Sequence, residues 1–65
     1  MTTTPTIVAA LRKGDRITDG QQVGTIANNP IAPKRKPGHL AFDVRVGRTM
    51  YAVCLPDTDR VDRVD

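Results

Sequence analysis

The sequence predicts an all-β domain, a small partly open barrel or strongly bent antiparallel sheet of about five short strands. Five prolines (Pro5, Pro30, Pro33, Pro37, Pro56) and the turn pairs Asp19-Gly20 and Gly47-Arg48 cut the 65 residues into short segments, a spacing suited to strands. From His39 to Leu55 apolar residues alternate with mixed ones about a single two-residue turn, the period of a half-buried strand pair. Closing such a sheet toward a barrel also removes edges that invite aggregation.

Along the chain, Thr6-Ile7-Val8-Ala9-Ala10-Leu11 is the one stretch with a helical option, because Thr6 is placed to cap a turn. β-branched Ile7 and Val8 suit extended backbone, so the stretch reads as a strand start followed by a short turn, with residues 1–5 a flexible N-terminus. The next hairpin runs from Arg16-Ile17-Thr18 into Gln22 through Ala27. With a three-residue loop Asp19-Gly20-Gln21, Ile17 faces Val23, and a bulge at Gly24 is needed to return Ile26 to the same side. Residues 29–38 form a proline-bracketed loop. The main hairpin joins His39–Val46 to Thr49–Leu55 through Gly47-Arg48, with Gly47 taking the positive φ of a type II′ turn. That register sets Val46 opposite Thr49, Val44 opposite Tyr51, Phe42 opposite Val53 and Leu40 opposite Leu55, all on one face, and a one-residue slip would destroy the match. In the tail, Val61 and Val64 stand three apart, which leaves a last short strand and a single helical turn both open.

The stretch Leu11-Arg12-Lys13-Gly14-Asp15-Arg16-Ile17, followed by Gly20 and Val23-Gly24-Thr25-Ile26, resembles the opening hairpin of small SH3-like barrels, including the KOW-type modules of ribosomal and transcription proteins. Gly14 supplies a turn that most residues resist, and Asp15 can accept hydrogen bonds from nearby backbone N–H groups. The resemblance covers residues 11–26 and implies an SH3-like barrel. The run of glycines and basic residues that KOW modules tend to carry after the turn is missing here, so RNA contact by that route is not expected.

A chain this short hides only about 60% of the surface it exposes when unfolded. It makes one domain, residues 1–65, and a two-domain enzyme is excluded. The longest apolar run, Ile7 to Leu11, is five residues, against the roughly 20 a membrane helix needs. The start Met1-Thr2-Thr3-Thr4-Pro5 has neither the basic region nor the apolar stretch of a secretory signal. With a single cysteine, Cys54, in place of the paired cysteines of small extracellular domains, a cytoplasmic protein is the expectation.

Charge is unevenly placed. The net +3 divides into +5 for residues 1–56 and −2 for the acidic tail, residues 57–65. The densest cationic run is Lys34-Arg35-Lys36, between Pro33 and Pro37, prolines that bias the loop toward extended backbone. Three adjacent cations on a projecting arm suit phosphate, because neutralising phosphates releases counterions and gives salt-dependent affinity. Solvated loop residues that keep the chain soluble, and an acidic protein surface as partner, are the other readings of the run. Arg45 and Arg48 near the far hairpin end are supporting cations, and Arg12, Lys13 and Arg16 flank the Gly14-Asp15 turn. Both aromatics, Phe42 and Tyr51, fall on the core face, so base stacking is not expected. DNA or RNA would be held by backbone and shape.

Catalysis has little to stand on. His39 is the sole histidine, and Asp57, Asp59, Asp62 and Asp65 lack calcium-loop spacing. Cys54 and His39 share a face, which reads as a small buried thiol beside Ala41 and Ala52 with a half-exposed histidine. No catalytic residue, metal site or cofactor is expected. That second hairpin face holds Ala41, Met50, Ala52 and Cys54, small and apolar for a surface. Cover by the first segment through Ile7, Val8 and Leu11 is the expectation; the alternative is a homodimer in place of a monomer. The leading reading is a non-enzymatic small basic module that contacts nucleic acid through Lys34, Arg35 and Lys36. Its rival is a protein-interaction or assembly module, such as a small phage or mobile-element factor binding a host or virion protein.

Overall fold

A computed structural model describes all 65 residues. The strands are β1 (Thr3–Ile7), β2 (Arg16–Thr18), β3 (Val23–Ile26), β4 (His39–Val46), β5 (Thr49–Pro56) and β6 (Arg60–Val64), and one 3-10 turn, Val8–Ala10, follows β1. They form a single antiparallel sheet in the order β1-β6-β2-β3-β4-β5. The all-β expectation holds, with six strands in place of about five. The sheet is not closed: β1 and β5 are free edges. It is nevertheless strongly bent. Val61 of β6 and Val53 of β5 are four strands apart, about 19 Å in a flat sheet at the usual strand spacing, yet both line one groove.

The main hairpin has the register its alternation predicts, with Val46 opposite Thr49, Val44 opposite Tyr51, Phe42 opposite Val53 and Leu40 opposite Leu55. Gly47 has φ 61° and no non-glycine residue has positive φ, so Arg48 is not left-handed and the turn is of the II′ kind. Phe42 and Val44 are buried and Leu40, Val46, Val53 and Leu55 pack partly against them. Tyr51 corrects the expectation that both aromatics are covered: it is 50% exposed, because β5 is an edge strand and nothing spans the groove above it.

The β2–β3 hairpin differs from expectation in register. Its loop is four residues, Asp19 to Gln22, and Ile17 lies opposite Gly24 and Thr18 opposite Val23. No bulge is needed, since Ile17, Gly24 and Ile26 already share the inner face, while Val23 turns outward and is partly exposed. Gly24 is glycine for a tertiary reason. A Cβ there would overlap Val44 Cγ1 and stand 3.1 Å from Val46 Cγ2.

The loop itself is set by Asp19, whose carboxylate accepts the Gln21 and Gln22 N–H groups at 2.9 Å each. These bonds, that from Gln22 first, hold the carboxyl below its ordinary value of 3.8. A lowered folded-state value means stabilisation that is present above 3.8 and lost as pH falls through the lowered value. Asp19→Ala should therefore lower the urea midpoint at pH 7, with the gap to the parent chain closing by pH 2. An equal gap at both pH values would assign the effect to loop packing.

Both chain termini belong to the sheet. Residues 3–5, expected to be flexible, pair with β6, where Thr3 lies opposite Val64 and Pro5 opposite Asp62. The Thr4 hydroxyl donates to the Asp65 carboxylate. The acidic tail is a strand and not a helical turn, inserted between β1 and β2 with Arg63 opposite both Thr4 and Ile17. Between β1 and β2 the chain closes one end of the bent sheet. Val8 and Ala9 donate to the Asp59 and Asp57 carbonyls at 2.8 and 3.2 Å, which seats Val8 and Leu11, both fully buried, against Ile26 and Phe42. Asp15 Oδ2 accepts the Arg12 N–H at 2.9 Å, fixing the turn that leads into β2.

Candidate nucleic-acid interface

The basic loop leaves the sheet from a pinned base. Asn28 Oδ1 accepts the Asp43 N–H and Asn29 Oδ1 accepts the Lys13 N–H, each at 2.8 Å. Ile31 and Ala41 then exchange two backbone bonds of 3.0 and 2.8 Å, continuing the line of β3. Beyond them Lys36 N–H reaches the Pro33 carbonyl at 3.4 Å, His39 N–H the Lys36 carbonyl at 3.2 Å, and Asp57 N–H the Gly38 carbonyl at 2.8 Å. Lys34, Arg35 and Lys36 thus sit, exposed, on a turn at the closed end. None of the three makes a side-chain hydrogen bond or an ion pair. Among the ten cations, only Arg12, which donates to the Ala9 and Leu11 carbonyls, and Arg63, 3.9 Å from Asp65, are engaged.

The structure does not gather all five candidate cations into one patch. Arg45 and Arg48 lie toward the opposite end of β4, whose seven steps from His39 to Val46 span about 23 Å. Arg45 has other company. It pairs with Thr25, which pairs with Arg16, so Arg16 and Arg45 share the convex face two strands apart. Lys13, Gly14, Thr25, Ala27 and Arg45 also line a cleft of about 270 Å³. Lys13, joined to Asn29, stands between this cluster and the base of the loop. In the sequence Lys13 and Arg16 only flank a turn; their grouping with Arg45 depends on β3 lying between β2 and β4.

The second hairpin face is open. Val8 and Leu11 pack on the inner side of the sheet, so the expected cover by the first segment is absent, and Met50, Ala52 and Cys54 are exposed. Ile31, opposite Ala41, extends this face and is 65% exposed. Cys54 is an exposed thiol and not the buried one expected. His39 Nδ1 lies 3.3 Å from the Pro37 carbonyl oxygen and makes no bond to Cys54.

On the concave side, the unclosed end leaves a groove of about 430 Å³ lined by Ile17, Val44, Val46, Tyr51, Val53 and Val61, with Thr18, Asp19 and Gln22 at its polar margin. Tyr51 and Arg45 are therefore on opposite faces of the hairpin, which keeps the exposed ring away from the cations. No group of three His, Cys, Asp or Glu side chains is arranged to hold a metal ion, and no helix is long and apolar enough to cross a membrane. Comparison with known families, curated proteins and solved structures gave no match to this chain.

Proposed function

We propose that this chain is a non-enzymatic binding module that contacts nucleic-acid backbone through Lys34, Arg35 and Lys36, with Arg45 and Arg48 as secondary cations. One observation carries the reading: three adjacent cations, unpaired with any carboxylate, sit on an exposed turn whose base is pinned by Asn28, Asn29 and Ile31. Unpaired cations lose little on approach to phosphate and release counterions from it. Lys13 and Arg16, grouped with Arg45 on the convex face, extend the positive surface. With Tyr51 on the other face, contact is to phosphates and groove shape and not to stacked bases. The bend of the sheet, with β6 returning beside β2, supports an SH3-like reading of the hairpin at residues 11–26.

Fluorescence anisotropy with labelled duplex DNA and with RNA at 50 and 200 mM salt tests this. Three phosphate contacts on duplex DNA make that fourfold rise weaken binding about 40-fold, from a slope of about −0.9 per contact. Replacing Lys34, Arg35 and Lys36 together by Ala should flatten the slope by about 2.7. No binding at 50 mM, or a slope the triple variant leaves unchanged, counts against the proposal.

The groove favours a second reading, a protein-interaction module that accepts an apolar side chain of a protein partner beside Tyr51. Tyrosines with one apolar and one wet side are common at interfaces. Under this reading Tyr51→Ala abolishes recovery of a stoichiometric protein partner while the triple loop variant retains it.

A further inference from the structure

The two free edges of the sheet are unlike. β1 has five residues and carries Pro5 at its centre, a common way of blunting an edge. β5 has eight residues, pairs with β4 without a bulge, and from Thr49 to Leu55 contains neither charge nor proline. In the main hairpin the two-residue turn makes Val46 and Thr49 a hydrogen-bonded pair, so alternate residues of β5 bond inward to β4. The remaining residues, Met50, Ala52 and Cys54, aim their N–H and C=O groups at open solvent along the edge. Ala41 and Asp43 of β4 bond instead toward the Ile31 and Ala27 side, which confirms this phase.

We infer that a second copy of this chain pairs with β5 through the β5 edge, antiparallel about a two-fold axis at Ala52. Ala52 then exchanges both backbone bonds with its symmetry mate, and Met50 does so with Cys54 of the other copy, giving six new hydrogen bonds across one continuous sheet. This register has three consequences that agree. On the concave face Tyr51, 50% exposed, comes beside Val53 of the second copy, and on the convex face Met50, 54% exposed, comes beside Cys54. At the ends Arg48 meets Pro56 and so approaches Asp57, where the cationic hairpin tip of one copy faces the acidic β5–β6 turn of the other. Asp57 is also bonded to Gly38 at the foot of the basic loop. The dimer therefore brings Arg48 of one copy to the end of the other that carries Lys34, Arg35 and Lys36, joining clusters that a single copy holds a strand length apart. That last consequence rests on the nucleic-acid reading; the pairing itself does not.

Sedimentation equilibrium and amide hydrogen exchange on the full chain, without nucleic acid, test the pairing. The expected mass is twice the 7.1 kDa of one chain at high micromolar concentration, with the Met50, Ala52 and Cys54 amides protected there and exchanging rapidly on dilution. Ala52→Pro removes the central edge donor without touching a bond to β4, and should restore the single mass with an unchanged circular dichroism spectrum. A single mass at the highest concentration overturns the inference. So does a doubled mass with those three amides unprotected, which places the contact on another surface. Because exchange is read on the unmodified chain, the test stands if Ala52→Pro does not fold. Loss of DNA and RNA binding with the pairing intact would sink only the functional reading.

Discussion

Gly24→Val is expected to leave the chain largely unfolded at 25 °C, and Gly24→Ala to destabilise it by about 2–3 kcal/mol, within the range for overpacked cores. The first new atom overlaps Val44 Cγ1, and Val46 Cγ2 at 3.1 Å crowds it further, with the Arg45 carbonyl in contact at 3.4 Å. Val44 is buried with Ile26 and Phe42 and can yield only toward the groove it borders, giving up core contacts as it does. Domains of this size rarely hold more than about 3–5 kcal/mol in a single core, so even the alanine uses up most of it. Urea unfolding followed by circular dichroism measures the loss. Combining Gly24→Ala with Val44→Ala should recover part of the stability, a coupling that only contacting residues show. A Gly24→Ala chain within about 0.5 kcal/mol of the parent, the range of ordinary surface changes, would contradict the close approach of β3 to β4.

The second large effect is at Leu11. Its side chain is fully buried and closes the end of the bent sheet, held there by the Leu11 N–H to the Val8 carbonyl and by the bonds from Val8 and Ala9 to the β5–β6 turn. Leu→Ala at comparable sites costs about 2.7–5 kcal/mol, the spread reflecting how far the cavity collapses. Leu11→Ala should thus be mostly unfolded at room temperature by the same measurement. Leu11→Met, which keeps the volume, should lose less than about 1.5 kcal/mol. Equal losses for the two would mean that shape, and not buried volume, sets the closure.

How far the fold could be read in advance follows from where each constraint resides. The main hairpin was legible because its constraints are local: alternation from His39 to Leu55 and one glycine turn define a single register. The β2–β3 hairpin was not, because Gly24 answers to Val44 and Val46, residues twenty or more positions away, while within the strand it looks like a bulge. Tyr51 has the core's phase, but only the strand order reveals that β5 is an edge. In the tail, Val61 and Val64 break alternation because Arg63 takes the inward position next to Ile17, a placement no pattern signals. The exposure of Lys34, Arg35 and Lys36 was legible from the run itself, although Pro33 and Pro37 bracket a turn and not the extended backbone they suggest, whereas the company of Arg16 and Arg45 required knowing that Thr25 lies between them. The open convex face followed from Val8 and Leu11 turning inward, a choice an apolar run leaves undetermined.

Under the proposed function, nucleic acid meets this chain at the basic loop. Backbone amide shifts of the labelled chain, titrated with a short duplex DNA and a single-stranded RNA at low salt, address it most directly. The largest changes are expected at Lys34, Arg35 and Lys36, smaller ones at Lys13, Arg45 and Arg48, and none at Ile17 or Val61 in the groove. Shifts centred on the groove around Tyr51, or none with either nucleic acid, would contradict it.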